Sequence, residues 1–124
     1  AQKLDLPFVY VRPEAKKHGR KNQIEGKVLQ NQKVIVIEDL ISTGMSSLNA
    51  VKALKDSGLK VLGMIAIFSY DFEISKKNFA NNNIELDILC DYSILLKKAV
   101  ESNYVSEKNL ETLSVWNKDP ENWS

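Results

Sequence analysis

The stretch Val34-Ile-Val-Ile-Glu-Asp-Leu-Ile-Ser-Thr-Gly-Met-Ser-Ser47 decides the fold of this chain. Its opening run of β-branched residues predicts a buried strand over residues 33–37. The adjacent carboxylates of Glu38 and Asp39 follow, and after them come a hydroxyl-rich turn and an amphipathic helix. In open α/β sheets, ligands bind beyond the carboxyl ends of the strands. The stretch therefore predicts both an α/β fold and the place of its binding site.

The turn at residues 40–47 is suited to an anion. Backbone N–H groups in a tight turn and the positive end of a helix attract a phosphate, and Gly44 lets the backbone approach it closely. The carboxylates of Glu38 and Asp39 accept hydrogen bonds from vicinal hydroxyls. The pattern indicates a site for a phosphorylated sugar, although a helix-capping turn with solvated acids has the same residue types. Neither a Walker A loop nor a Rossmann fingerprint is present.

Strand-like and helix-like segments alternate along the chain, which predicts a mostly parallel sheet flanked by helices. Residues 24–29 and 33–37 are expected to be neighbouring strands. Ser46 or Ser47 should cap the first helix, and Gly58 should end it in the left-handed conformation. The continuously apolar residues 61–68 predict a strand that is covered on both faces. The other predicted elements are strands at residues 8–11 and 84–89 and helices at residues 72–81, 92–102 (capped by Asp91) and from the cap Ser106 onward.

Residues 12–22 are the most positive segment of the chain. They carry Arg12, Lys16, Lys17, His18, Arg20 and Lys21 against the single acid Glu14 and lack apolar periodicity, which predicts a flexible loop. Beside an acidic sugar site, such a loop suits a lid that neutralises a polyphosphate; a solvated surface loop is the alternative. A single histidine in a loop does not indicate a metal site.

Length and composition are those of one ordinary domain, which we expect to span residues 1–124. The chain has 17 Lys plus Arg and 16 Asp plus Glu, so its charge favours neither nucleic acid nor a membrane as partner. Cys90 is the only cysteine, which predicts no disulfide framework and a cytoplasmic location. The apolar run at residues 61–68 is far shorter than the ~20 residues needed to cross a bilayer.

Residues 34–47 also closely resemble the phosphoribosyl-pyrophosphate motif of the phosphoribosyltransferases. Within that superfamily, the resemblance is to orotate phosphoribosyltransferase, and the Arg-x-x-x-Lys-x-His pattern of residues 12–18 specifies this branch. The resemblance runs along nearly the whole chain. Three further segments carry it: Phe8-Val-Tyr-Val-Arg-Pro-Glu-Ala-Lys-Lys-His-Gly19, Ile67-Phe-Ser-Tyr70 and Trp116-Asn-Lys-Asp-Pro-Glu-Asn-Trp123.

The resemblance implies a phosphoribosyltransferase-type fold and a reaction. The 5-phosphoribosyl group of phosphoribosyl pyrophosphate would pass to orotate, giving orotidine 5′-monophosphate and pyrophosphate in de novo pyrimidine (UMP) biosynthesis. Mg²⁺ would arrive with phosphoribosyl pyrophosphate, and no separate protein metal site is implied. The working unit would be a homodimer in which the basic loop of one subunit closes over the active site of the other.

The resemblance also implies roles for individual residues. Glu38 and Asp39 would hold the ribose 2′ and 3′ hydroxyls, residues 40–46 would wrap the 5′-phosphate, and Ser42 would touch orotate. The implied catalytic residues are Lys16, His18 and Asp39; no protein nucleophile is needed, because orotate itself attacks the sugar. The residues implied to bind phosphoribosyl pyrophosphate are Arg12, Lys16, His18, Glu38, Asp39, Leu40, Ile41, Ser42, Thr43, Gly44, Met45 and Ser46.

Two features depart from the pattern of the family. Met45 stands where a second glycine is common, which would cost about 1 kcal/mol or more if this position needed a positive φ. The upstream part of the family, which holds further orotate contacts and a pyrophosphate-binding loop, has no counterpart in the sequence. We therefore expect a C-terminal portion with little or no activity alone and with an exposed apolar surface. The alternative functions are a purine-salvage phosphoribosyltransferase and a non-catalytic regulator that senses phosphoribosyl pyrophosphate.

Overall fold

The structure is a computed structural model that describes residues 1–13 and 23–123. Within this part of the chain, three strands form a parallel sheet, two short strands form a separate antiparallel pair, and four α-helices connect or flank them. The elements are β1 (Tyr10–Val11), β2 (Ile24–Glu25), β3 (Lys33–Ile41), α1 (Met45–Asp56), β4 (Lys60–Ser69), α2 (Glu73–Asn81), β5 (Leu86–Asp91), α3 (Tyr92–Glu101) and α4 (Glu107–Lys118), with 3-10 turns at Gln2–Leu4 and Pro120–Asn122.

The predicted α/β fold is confirmed. The parallel sheet has the order β3-β4-β5, and its two crossovers pass through α1 and α2. At its carboxyl edge, Ile41 of β3 lies opposite Ser69 of β4, which in turn lies opposite Asp91 of β5. All three strands therefore end at one edge of the sheet, which is where a ligand is expected in this architecture.

The core is formed between the sheet and the first two helices. Leu48 and Val51 of α1 and Phe79 of α2 pack with Met64 and Ala66 of β4, and all five are buried. Burying a large apolar side chain contributes about 1.5–3 kcal/mol, so this cluster fixes the position of α1 against the sheet. The amphipathic helix predicted after the turn is confirmed, with its apolar face in the core.

One strand prediction was wrong, and another was correct but shifted along the chain. Residues 24–29 do not form a strand beside residues 33–37; β2 ends at Glu25 and pairs with β1 instead. The next residue, Gly26, has a φ of 118°, which takes the backbone out of the extended conformation. The strand predicted at residues 84–89 is present as β5, two residues further toward the C-terminus, and Ile84 packs into the core ahead of it.

The prediction that β4 is covered on both faces was also wrong. Leu62 and Ile67 of β4 are 56% and 57% exposed, and Ile37 of β3 and Leu89 of β5 are 67% and 72% exposed. The described residues therefore leave apolar side chains of all three strands in solvent, as the sequence led us to expect.

The helix ends agree better with the sequence. Gly58 follows α1 with a φ of 84°, as predicted for a left-handed helix end. The side chain of Asp91 accepts a hydrogen bond from the backbone N–H of Ile94 at 2.9 Å, which confirms it as the cap of α3. Ser106 precedes α4 but forms no side-chain capping bond. Across the described ranges, none of the helices reaches the length and apolarity needed to traverse a lipid bilayer.

Candidate active site

The residues predicted to bind the ligand lie where β3 passes into α1. β3 continues to Ile41, because Leu40 pairs with Phe68 and Ile41 with Ser69 on β4. Leu40 and Ile41 were predicted to belong to the turn and instead belong to the strand. The connection between β3 and α1 is reduced to Ser42, Thr43 and Gly44.

The two carboxylates lie near the end of β3 but in different surroundings. Glu38 is half-buried and Asp39 is exposed, as expected from the alternation of side chains along a strand. Within residues 1–13 and 23–123, neither carboxylate takes part in a side-chain hydrogen bond or ion pair. A half-buried carboxylate without a protein partner is well placed to accept hydrogen bonds from a ligand.

The turn is seated on α2. Gly44 has a φ of 80°, and a Cβ at this position would lie 2.5 Å from Cε2 of Phe79. The side-chain amide of Asn78 donates a hydrogen bond to the carbonyl oxygen of Thr43 at 2.9 Å. Gly44 was predicted to allow close approach to a ligand; in the structure its close neighbour is Phe79. The ring and the amide together fix the path of the turn.

The start of α1 differs from the prediction. The helix begins at Met45 after Gly44 and has no side-chain capping bond, so the prediction that Ser46 or Ser47 caps it was wrong. The first helical hydrogen bond runs from the backbone N–H of Leu48 to the carbonyl oxygen of Gly44 at 2.9 Å. The backbone N–H groups that come before Leu48 in the first turn of α1 have no partner within the helix. They are therefore available to an anion.

Met45 is accommodated without backbone strain. Met45 does not have a positive φ. The preceding residue, Gly44, adopts the left-handed conformation instead. The destabilisation expected for Met45 therefore does not arise. Its side chain is 53% exposed, so it lies at the surface beside the turn.

The other residues of the predicted set differ in what they offer a ligand. Ser42 and Ser46 are exposed and Thr43 is half-buried, so these hydroxyls line the turn and the helix start. Ile41 is 0% exposed, and its carbonyl oxygen accepts a hydrogen bond from the backbone N–H of Tyr70 at 3.0 Å. Ile41 therefore anchors the end of β3, and its side chain is closed to a ligand.

Of the basic segment at residues 12–22, the structure describes only Arg12 and Pro13. Lys16 and His18 lie outside the described residues, and their predicted roles stay predictions. Arg12 follows β1, and its guanidinium donates hydrogen bonds from Nε and Nη2 to Oε1 of Glu25 on β2. Sequence reasoning had assigned Arg12 to pyrophosphate and had not anticipated this carboxylate partner.

An aromatic cluster supports the carboxyl edge of the sheet beyond β4. The ring of Tyr70 stacks on Phe72 with centroids 5.2 Å apart and meets the edge of Trp116 at 5.7 Å. Tyr92 joins both partners of this contact, at 5.8 Å from Tyr70 and 5.5 Å from Trp116, and its burial raises the pKa of its hydroxyl. The backbone N–H of Tyr70 also donates to the carbonyl oxygen of Ile41. The cluster is therefore attached to the ends of both β3 and β4.

Asn78 and Phe79 are the supporting residues that sequence reasoning missed. They lie 35 residues from the turn that they hold, and no local pattern connects the two segments. A cavity of about 380 Å³ has Ser69, Ser75, Lys76 and Phe79 among its lining residues. It contains none of the residues predicted for the site, so we do not assign the ligand to it.

The donor set is compatible with a magnesium ion that is held mainly by substrate. Magnesium prefers oxygen ligands and is commonly bound by one or two carboxylates together with substrate phosphates. Glu38 and Asp39 are carboxylates of that kind. Among the described residues, no group of three or more His, Cys, Asp or Glu side chains is arranged to hold a metal ion.

Comparison with known proteins places the sequence next to one group of enzymes. The chain is 51% identical over 123 residues to the orotate phosphoribosyltransferase of Cytophaga hutchinsonii, covering 99% of this chain and 59% of the relative. It is 52% identical over 120 residues to the orotate phosphoribosyltransferase of Listeria innocua, covering 97% of this chain and 57% of the relative. No family model matches.

A solved structure agrees with these relatives. The orotate phosphoribosyltransferase of Aeropyrum pernix superposes with a TM-score of 0.69 at 28% identity, over 78% of this chain and 54% of that one. The resemblance noted from the sequence is thus confirmed over nearly the whole chain. The chain spans 57–59% of the length of these two relatives, so the activity of the whole protein is a matter of inference.

Proposed function

We infer that the chain is a segment of an orotate phosphoribosyltransferase, and we propose that the full-length protein makes orotidine 5′-monophosphate. Its substrates are orotate and phosphoribosyl pyrophosphate, and its second product is pyrophosphate. This step belongs to pyrimidine biosynthesis. The identity of about 50% to named enzymes of this activity supports the proposal more strongly than any alternative.

One observation carries the proposal at the level of the site. The carboxylates of Glu38 and Asp39 lie on the last part of β3, and the uncapped start of α1 follows after a turn of three residues. A ribose 5-phosphate has hydroxyls on its ring and a dianion at its other end. Carboxylates suit the first group and helix N–H groups suit the second.

In the proposed reaction, the protein forms no covalent bond with the substrate. Positive charge develops at the anomeric carbon as pyrophosphate departs, while the orotate nitrogen attacks the same carbon. The carboxylates hold the ring through its hydroxyls, and the turn holds the phosphate, so the reacting carbon is fixed between them. Arg12, Lys16 and His18 stabilise the departing anion by charge and hydrogen bonds. Exclusion of water from the site protects the sugar from hydrolysis.

Magnesium belongs to this proposal as a companion of the substrate. When bound to the diphosphate, the ion neutralises charge on the leaving group. Glu38 and Asp39 are the described carboxylates that would face it from the protein. Their hydrogen-bonding role toward the ribose hydroxyls does not depend on the ion.

The proposal includes a homodimer in which residues 12–22 of one subunit act on the site of the other. Two impaired variants test this arrangement: Lys16→Ala, which lacks the loop cation, and Glu38→Gln combined with Asp39→Asn, which lacks the acids. Mixing them under exchange conditions should restore about a quarter of the wild-type activity if half of the dimers are hybrids with one intact site. Activity that stays at the level of the separate variants after verified exchange contradicts action in trans. A cytoplasmic location likewise stays a proposal from the cysteine content.

The decisive experiment measures pyrophosphate release by the full-length protein with phosphoribosyl pyrophosphate and Mg²⁺. Release that depends on orotate supports the proposal. Release that depends on adenine, guanine or hypoxanthine identifies a purine-salvage enzyme instead. Binding of phosphoribosyl pyrophosphate without turnover of any base identifies a sensor.

Lys16→Ala separates catalysis from binding alone. In an enzyme, loss of this cation should lower kcat by about 10-fold or more, because the charge stabilises the leaving group. In a sensor or a nucleotide-binding module, only the affinity for phosphoribosyl pyrophosphate should change. Lys108→Ala, on the surface of α4, is a matched control that removes one exposed lysine elsewhere.

A further inference from the structure

Arg12 and Glu25 form an ion pair at the point where β1 and β2 meet. Nε of Arg12 donates to Oε1 of Glu25 at 2.6 Å, and Nη2 donates to the same oxygen. The two side chains are 38% and 42% exposed. An ion pair with this exposure contributes little to stability. We therefore ask what else the pair does.

The pair occupies only one edge of the guanidinium. Arginine has five N–H donors in a planar fork. With Nε and Nη2 directed to Glu25, the edge formed by Nη1 and the second N–H of Nη2 has no acceptor among residues 1–13 and 23–123 and can bind one from a ligand. That edge has the spacing that matches two oxygens of a phosphate.

The backbone around the pair is held firmly. The backbone N–H of Arg12 donates to the carbonyl oxygen of Gln23 at 2.8 Å, and the side-chain amide of Gln23 donates to the carbonyl oxygen of Arg12 at 2.9 Å. A Cβ on Gly26 would lie 3.0 Å from the carbonyl oxygen of Phe8, so β2 packs closely on the approach to β1. Arg12 and Glu25 are thus presented by a rigid stem.

We propose that Glu25 is a positioning residue, which holds the guanidinium of Arg12 so that its remaining edge faces the diphosphate of phosphoribosyl pyrophosphate. This proposal rests on the proposed function. A long, flexible side chain that is oriented before the substrate arrives loses less conformational freedom on binding. This contribution of Glu25 to substrate binding is indirect, because Glu25 acts on the diphosphate through Arg12.

The test is a double-mutant cycle on the full-length protein, with kcat and the KM for phosphoribosyl pyrophosphate measured separately. Arg12→Ala should lower kcat/KM by roughly 10- to 100-fold, as expected for a lost hydrogen bond to a charged group. Glu25→Ala should lower it by about 5- to 10-fold through a higher KM. The double variant should match Arg12→Ala alone in kcat/KM, because the proposed effect of Glu25 on diphosphate binding passes through the guanidinium of Arg12.

Glu25→Gln separates orientation from charge. Its amide oxygen still accepts from the guanidinium, so it should recover most of the loss seen in Glu25→Ala. Glu101→Ala removes a carboxylate from an exposed ion pair with Lys98 on α3 (2.9 Å) and is a matched control that should leave KM unchanged.

Three results overturn the proposal. The first is a double variant whose loss of kcat/KM equals the product of the two single losses. The second is a Glu25→Ala variant with a lower melting temperature but an unchanged KM. In both cases the wild-type activity stands and the proposed function survives. The third is a wild-type protein without orotate-dependent pyrophosphate release, which overturns the proposed function together with this inference.

Discussion

A methyl group on the α-carbon of Gly44 would lie 2.5 Å from Cε2 of Phe79. The ring belongs to α2, which follows β4, whereas Gly44 is the last residue before α1. The turn that we propose to bind the phosphate is therefore shaped by a residue that is distant in the sequence. Gly44 also has a φ of 80°. The position therefore requires glycine for two independent reasons, the short contact and the left-handed backbone.

Gly44→Ala is expected to lower the free energy of unfolding by about 2 kcal/mol or more, because a left-handed non-glycine residue and an overpacked contact each add a penalty. The KM for phosphoribosyl pyrophosphate should rise in the same variant as the turn shifts. Chemical denaturation and steady-state kinetics of the full-length protein measure the two effects. Gly44→Ala combined with Phe79→Leu should be less destabilised than the sum of the two single variants, because the smaller side chain relieves the steric overlap. A Gly44→Ala protein with wild-type stability would contradict the contact.

Asn78→Ala removes the hydrogen bond to the carbonyl oxygen of Thr43. We expect a loss of about 1 kcal/mol in the free energy of unfolding and a several-fold higher KM for phosphoribosyl pyrophosphate. Asn82→Ala is the matched control, because its amide donates to the carbonyl oxygen of Asn78 at 2.8 Å away from the turn. Equal effects of the two variants on KM would show that Asn78 does not act through the turn.

The acid pair should affect substrate use far more than stability. Glu38→Gln and Asp39→Asn each retain shape but lose charge, and neither residue has an ion-pair partner within the described part of the chain. We expect kcat/KM to fall by roughly 10- to 100-fold for each variant, with thermal melting nearly unchanged. Asp87→Asn, an exposed carboxylate on β5, is the control. A large drop in melting temperature with normal kinetics would assign the acids to the fold.

The cap of α3 predicts a pH dependence of stability. Hydrogen bonds from the backbone N–H of Ile94 and from Ser93 lower the pKa of Asp91 below its ordinary value of 3.8. A lowered pKa in the folded state means that the ionised cap stabilises the protein above pH ~4 and that this contribution disappears as the pH falls through the folded-state pKa. Asp91→Ala should therefore lower the free energy of unfolding by about 1 kcal/mol at pH 7.

The difference between wild type and Asp91→Ala should shrink in acid, below the ordinary pKa of the carboxyl group. Asp91→Asn keeps an oxygen that accepts the capping bond but does not titrate there, so it separates the hydrogen bond from the charge. Denaturation curves at several pH values measure the effect. A difference between wild type and Asp91→Ala that stays constant from pH 7 into acid would contradict this role of the charge.

The helix and strand predictions succeeded where the pattern is local. The apolar spacing of α1, its end at Gly58 and the Asp91 cap of α3 were all predicted, because each depends on residues within a few positions of one another. The pairing of β2 was mispredicted, because it depends on which distant strand offers free N–H and C=O groups. The extent of β3 was underestimated for the same reason, since its last residues are strand only through their pairing with β4.

By itself, the sequence determined the α/β class, the residues of the acid-turn-helix stretch and their likeness to orotate phosphoribosyltransferases, because residue types and short spacings carry this information. Only the tertiary structure decided that Gly44 rests on Phe79, that Asn78 holds Thr43 and that Glu25 engages Arg12. These contacts join segments whose separation in the chain has no periodic signature. They form because folding brings together surfaces whose shape and charge match, and that match exists only once the sheet and helices are assembled.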